Sequence, residues 1–222
     1  MKKLLTITTA AAGLAVLMAG PAMASSLNTT IAVTVWNGPS SAPGNSAATT
    51  EQALPTATTG LMNYGTTTYT GGIDFSLPSG MDTIGSFLST NLSGLVAAPG
   101  GSALVTLSTG GFTDATLMRF TFNLPTATTG TITHDDGISI FAAGNTTTNL
   151  LAGFSAPTAL STTSFALAGG NYDLWYSEVN GLPAALTFNV LTRATVPEPV
   201  SMALLGTGLL GLGLVRRRAG RA

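Results

Sequence analysis

The stretch Met118-Arg119-Phe120-Thr121-Phe122-Asn123-Leu124 puts an apolar side chain at every second position, with Arg119, Thr121 and Asn123 between. A period of two is the mark of a half-buried strand, because successive side chains point to opposite faces. The same alternation returns elsewhere. Ile31, Val33 and Val35 alternate with Ala32 and Thr34, Tyr172, Leu174 and Tyr176 with Asp173, Trp175 and Ser177, and Leu186, Phe188 and Val190 with Thr187 and Asn189. Gly, Pro and Asn clusters bound these runs, as expected of antiparallel strands joined by turns. Many short strands without helical periods predict an all-β fold, an antiparallel β-sandwich or jelly roll.

Three stretches depart from the alternation. Asn37 to Thr59 is rich in Pro, Ser, Ala and Thr and reads as a loop or linker. Gly80 to Ser93 fits a short helix around Ile84, Phe87 and Leu88, with Asp82 near its start. The heptapeptide Leu-Pro-Thr-Ala-Thr-Thr-Gly occurs at Leu54–Gly60 and again at Leu124–Gly130. Its flanks differ, so it reads as one turn sequence used twice rather than as a duplicated domain.

Composition narrows the function. The 222 residues include no Cys, which excludes disulfides, Cys-ligated metals and a cysteine nucleophile. Of eight Lys and Arg, six lie at the chain ends, at Lys2, Lys3, Arg216, Arg217, Arg218 and Arg221. Between Ser25 and Thr195, Arg119 and Arg193 face eight acids, a net charge of −6. A nucleic-acid partner needs a basic patch to neutralise phosphates, and this body has none.

The two ends read as addresses. Lys2 and Lys3, an apolar run from Leu4 to Ala19 and the small-x-small motif Ala22-Met23-Ala24 form a secretion signal, residues 1–24, cut by signal peptidase. The body is then residues 25–195. At the other end, Val200 to Val215 is an uncharged run of about 24 Å as a helix, at ~1.5 Å per residue, against a hydrocarbon core of roughly 30 Å. Arg216, Arg217 and Arg218 would stop transfer on the cytoplasmic side. Four glycines weaken this transmembrane helix, so the anchor is marginal.

Val196-Pro197-Glu198-Pro199, the Gly/Leu helix and the terminal Arg cluster resemble the PEP-CTERM sorting signal of Gram-negative bacteria, here residues 196–222. The resemblance implies an exosortase that cuts near Pro197-Glu198-Pro199, transient anchoring in the inner membrane, and release to the outer surface or an exopolysaccharide matrix. Two prolines keep the cleavage motif extended and out of the helix, where a protease can reach it.

Candidate chemistry concentrates in Thr133-His134-Asp135-Asp136-Gly137-Ile138, which holds the sole His, two adjacent acids and a turn glycine. Some thirty residues on comes Ala168-Gly169-Gly170-Asn171-Tyr172-Asp173-Leu174-Trp175-Tyr176-Ser177-Glu178-Val179-Asn180-Gly181. Together these resemble PA14-like adhesin sandwiches, over about Thr113 to Leu191. The resemblance implies that Asp135 and Asp136, joined by a cis peptide, bind Ca²⁺, which in turn holds sugar hydroxyls. Calcium takes six to eight oxygens, so two carboxylates are necessary but not sufficient. Asn145, Asn149 and Asn180 are further candidates.

The same residues also fit a plain turn. Asp-Gly is a common hairpin signal, and both aspartates can bond their own backbone. Trp175 and Tyr176 point to opposite faces, so one packs in the core and the other is free to stack on a sugar ring. Trp36 fits a core position equally well. His134 beside two acids is expected to favour its charged form. Glu178 is expected to face solvent or to pair with Arg119.

No nucleophile motif accompanies His134, and no pair of carboxylates is singled out for glycoside hydrolysis. The chain therefore reads as non-catalytic: an exported surface or matrix protein binding exopolysaccharide through Asp135 and Asp136, with His134, Trp175 and Asn180 as further ligand contacts. A ligand-free matrix component and a carbohydrate-active hydrolase are the alternatives.

Overall fold

Eleven strands, all paired antiparallel, form two sheets among the described residues. A computed structural model describes residues 23–27, 29–40, 52–78, 82–91, 94–144 and 150–192. The signal helix, the transmembrane helix and the sorting motif lie outside these residues, as do Ala22, Pro197, Glu198, Pro199 and Arg216 to Arg218.

The strands are β1 (Met23–Ser26), β2 (Thr29–Pro39), β3 (Met62–Gly71), β4 (Asp74–Leu77), β5 (Asp114–Leu124), β6 (Thr128–His134), β7 (Ile138–Ala142), β8 (Ala152–Phe154), β9 (Ser161–Leu167), β10 (Gly170–Glu178) and β11 (Ala184–Thr192). One sheet runs β3-β2-β5-β10-β7-β8. The other runs β1-β11-β6-β9, with β4 also paired to β11. The alternating run at Met118 lies in β5, in the middle of the larger sheet, where Phe120 faces Val33 of β2 and Leu174 of β10.

The inner faces enclose one core. Ile31, Val33, Val35, Met118, Phe120, Phe122, Leu174 and Tyr176 meet Phe75, Ile132, Leu186 and Phe188 from the other sheet. Burying side chains of this size contributes about 1.5–3 kcal/mol each, which is what orders the alternating strands. The expected helix is α1 (Ile84–Ser89), and Ile84, Phe87 and Leu88 all enter the core. Its N-cap is Thr83, one residue after Asp82: Thr83 Oγ1 accepts from the Ser86 amide at 3.1 Å. Phe87 stacks on Tyr176 at 5.6 Å and packs on Phe75 at 5.4 Å.

The structure corrects the reading of Asn37 to Thr59. Asn37, Gly38 and Pro39 continue β2, where the Asn37 amide donates to Thr116 Oγ1 at 2.8 Å. Pro55–Thr58 forms a 3₁₀ turn, and Ala53 and Ala57 pack with Trp36, Leu117, Phe141 and Trp175 in a second apolar cluster on the outer face of the larger sheet. Small alanines let this backbone lie close to the two indoles. Composition alone missed it because a covering segment needs few apolar atoms when aromatic rings supply the other side.

The repeated heptapeptide is not one turn used twice. The first copy holds the 3₁₀ turn and ends at Gly60 with φ +87°, whereas the second ends β5 at Leu124 and enters β6 by Thr128. Tertiary context selects between them. Gly130 of the second copy pairs with Phe165 and Val190 on its two sides, and a Cβ there would come within 2.1 Å of the Asn189 carbonyl.

Candidate functional site

The Asp135-Asp136-Gly137 turn joins β6 of one sheet to β7 of the other. Its shape follows from its residues. Asp136 has φ +61°, a left-handed conformation that Asp tolerates better than most residues. Gly137 is required by space, since a Cβ there would stand 2.2 Å from the Ser155 carbonyl. The turn is pinned on both sides: the Asp135 amide donates to the Ala185 carbonyl at 2.9 Å, and the Asp136 amide to the Thr158 carbonyl at 2.8 Å. The cis peptide in the described residues is Leu182–Pro183, so the cis Asp135–Asp136 bond implied by resemblance is not found.

Both aspartates line a cavity of about 380 Å³, together with Phe112, Leu160, Asn180 and Pro183 among others. Phe112 has φ +57°, so the two non-glycine residues with left-handed backbone among the described residues both border this cavity. Such conformations cost about 1–3 kcal/mol each and persist only where the surroundings hold them.

The electrostatics are unusual for paired acids. Burial, with the Asp135 charge adding to it, pushes the Asp136 carboxyl up to about 6, although the Val179 and Asn180 amides work the other way. The Val179 amide donates to Asp136 Oδ2 at 2.9 Å. Burial also raises Asp135, against the opposing hydrogen bond from the Asp136 amide. No salt bridge to either acid occurs among the described residues, where Arg119 stands alone against seven acids.

Directly behind the turn lies a polar cluster that sequence reading misplaced. Glu178 is fully buried, neither facing solvent nor paired with Arg119. Its Oε2 accepts from the Tyr176 hydroxyl at 2.5 Å and its Oε1 from Ser108 Oγ at 3.0 Å. Burial first, and the nearby Asp136 charge second, hold Glu178 well above the usual carboxylate range. The signal was present in the sequence: Glu178 continues the parity of Tyr172, Leu174 and Tyr176, so it must point inward. Ser108, which also receives the Gly181 amide at 3.0 Å, carried no such signal.

Two expected ligand contacts are corrected. His134 shares the inward parity of Ile132 and is fully buried. Its Nδ1 lies 2.7 Å from the Asp136 carbonyl, which can only accept, so that nitrogen carries the proton and Nε2 accepts from Thr163 Oγ1 at 2.9 Å. Burial moves its pKa down, opposite to the expected charged form. His134 thus braces the turn from beneath and does not line the cavity. Trp175, 4% exposed, stacks on Trp36 at 5.3 Å beneath the Ala53–Ala57 segment, away from the cavity. Its ring is covered by protein and cannot receive a sugar from solvent.

Asn180 is exposed at the cavity rim, as a ligand contact requires. Asn145 and Asn149 lie outside the described residues. Hard oxygens therefore converge here, as calcium prefers, but in smaller number than a complete shell, and no group of three or more His, Cys, Asp or Glu gathers among the described residues. Water and ligand hydroxyls would have to supply the rest.

Residues 195–218 match the PEP-CTERM protein-sorting motif. The chain is therefore an exported protein with an exosortase sorting signal, anchored in the membrane before processing. Its body is an antiparallel β-sandwich; no helix among the described residues is long and apolar enough to cross a membrane. A similar solved structure is the PA14 domain of the MpAFP antifreeze protein, at 14% identity and a TM-score of 0.40, covering 78% of this chain and 88% of that one. No curated protein matches the sequence significantly.

Proposed function

We propose that this is a non-catalytic protein of the cell surface or extracellular matrix, in which the Asp135–Asp136 cavity binds Ca²⁺ and, through it, the hydroxyls of an exopolysaccharide. The observation that carries the reading is the pair of buried aspartates on one cavity, with Asp136 pushed up to about 6 and no cationic side chain paired with it among the described residues. A divalent ion relieves the burial cost and the mutual repulsion together. Asn180 at the rim would hold the ion or a sugar hydroxyl, and the remaining shell would be completed by water and ligand.

A hydrolase would need an acid and a base or nucleophile flanking the scissile bond, whereas Asp135 and Asp136, the two carboxylates on the cavity, are neighbours in one turn. Glu178 has the raised pKa of a general acid but sits behind the cavity wall, bonded to Tyr176 and Ser108. That placement favours binding over catalysis.

Calorimetric titration of Ca²⁺ into the secreted protein is expected to give one binding event at pH 7, lost in Asp135→Asn/Asp136→Asn. An exopolysaccharide panel should then be retained only with Ca²⁺ present. No heat of binding, or equal binding by the variant, removes the site. Reducing-sugar release abolished by Asp136→Asn would establish the hydrolase instead.

A further inference from the structure

The outer face of the larger sheet is divided. Its half near Trp36, Leu117, Trp175 and Phe141 is covered by the Ala53–Ala57 segment. On the other side Thr66, Thr68, Asn123 and Asn171 are exposed, and Thr121 is half-buried. Arg119 stands at the boundary. Its guanidinium carbon lies 5.6 Å from the centroids of both Trp36 and Trp175. Its Nη2 donates to Thr34 Oγ1 at 3.2 Å, and Thr34 in turn shares a hydrogen bond with Thr66.

Arg119 has no ion pair among the described residues. Asp173, on the same face, is already engaged by Thr121 Oγ1 at 2.5 Å and by the Gly144 amide at 3.1 Å. Arg119 Nε and Trp175 Nε1 are buried without a partner and out of reach of solvent. Arg119 is thus a half-buried cation with no carboxylate facing it among the described residues, and an acceptor for its exposed end would come from outside the sheet. Nη1, which has no protein partner and is not among the buried atoms, keeps contact with solvent.

From this arrangement we infer that Arg119 anchors a second ligand site, taking a carboxylate carried on a hydroxyl-rich chain, that is, a uronic acid residue of an acidic polysaccharide. A guanidinium fork matches a carboxylate edge-on, and the stacked indoles hold the fork in place before the ligand arrives. Thr66 and Thr121, whose hydroxyls are already bonded to Thr34 and Asp173, keep lone pairs that can accept from sugar hydroxyls, as does Asn123 at Oδ1 while its Nδ2 is bonded to Gly170 and Asn171. The six excess negative charges of the described body disfavour a dense polyanion, so the site selects isolated uronates on a largely neutral chain. It shares no residue with the Asp135–Asp136 cavity and needs no metal.

Trp36 and Trp175 are the two tryptophans of the chain, and both touch Arg119, so intrinsic fluorescence reads the site directly. The secreted protein is titrated in EDTA with an aldobiouronic acid, one uronate linked to one neutral sugar, and, separately, with its neutral methyl ester. The acid is expected to give a saturable change that is at least tenfold weaker for the ester and for Arg119→Gln, and that survives in Asp135→Asn/Asp136→Asn. Raising NaCl to 0.5 M should weaken the response several-fold, a readout that needs no variant. The inference is overturned by no saturable change at millimolar acid, by an equal response to the ester, by an unchanged Arg119→Gln, or by insensitivity to salt. Those outcomes would leave Arg119 as a cap on the indole pair.

Discussion

Replacing Asp136 by Asn tests the electrostatics of the turn most directly. The folded state holds the Asp136 proton up to about pH 6, against an ordinary aspartate value of 3.8. Between those values the folded protein binds more protons than the unfolded chain, so stability falls as pH rises through the window. The contribution is present below about pH 4 and lost above about pH 6. A displacement of that size corresponds to about 3 kcal/mol at 1.36 kcal/mol per unit. For a body spanning Met23–Thr192, that is about 6–12 °C in melting temperature.

Two neighbours modify the profile of the natural protein. Glu178 is also raised and adds loss in the same direction. His134 is lowered, so it opposes: its contribution is present above the unfolded value of 6.5 and is lost as pH falls. The difference between Asp136→Asn and the natural protein cancels the His134 contribution and the burial part of Glu178, while the part of Glu178's rise that comes from the Asp136 charge leaves with it and adds to the variant's gain at higher pH. Asn keeps an oxygen to accept the Val179 amide and tolerates the left-handed backbone, so geometry is retained. Melting curves in EDTA at pH 4, 5, 6 and 7 should show near-equal stability at pH 4 and a variant more stable by about 6–12 °C at pH 7. Saturating Ca²⁺ at pH 7 should then raise the natural protein and leave the variant unmoved. A difference independent of pH, or a variant less stable at pH 7, refutes the account of Asp136.

Gly137→Ala should destabilise by about 1–3 kcal/mol in urea unfolding, because its Cβ meets the Ser155 carbonyl and the turn must shift. Tyr176→Phe removes the hydroxyl that donates to Glu178, leaving one oxygen of a fully buried carboxyl without that donor, at a cost of about 1–3 kcal/mol by the same measurement. Phe87→Ala opens the contacts with Tyr176 and Phe75 and should cost about 3–5 kcal/mol, establishing α1 as part of the core rather than a surface decoration.

The architecture was legible because the core-forming strands obey strict alternation, and parity alone assigns their inner faces. Ile31, Phe120, Leu174 and Phe188 all lie where that rule puts them. Local charge was the poorer guide. Neighbours in sequence suggested that His134 shares a site with Asp135 and Asp136, but adjacent residues of a strand point to opposite sides, and His134 follows Ile132 inward. Glu178 and Trp175 failed for the complementary reason. Charge argued Glu178 outward while parity put it in the core, and Trp175 faces outward but is covered by a segment whose composition resembles a linker. The cavity itself was not legible, since Phe112, Leu160 and Pro183 come from separate connections that only the closed sandwich brings together.

The two tasks read from the chain fall on different stretches of it. Strand β11 begins at Ala184, next to the cavity residue Pro183, and runs to Thr192, shortly before the sorting motif at 195. Nine extended residues span about 30 Å, at ~3.3 Å each. Within the sandwich β11 is paired along its length, with β4 over Ala184–Thr187, β6 over Leu186–Leu191 and β1 over Asn189–Thr192. The sorting motif occupies residues 195–218 and the proposed site Asp135 and Asp136, so a substitution at either aspartate should alter binding without altering sorting, and one at Pro197 or Pro199 the reverse. On the proposed reading that independence matters, since the ligand must be reachable whether or not the tail has been cut.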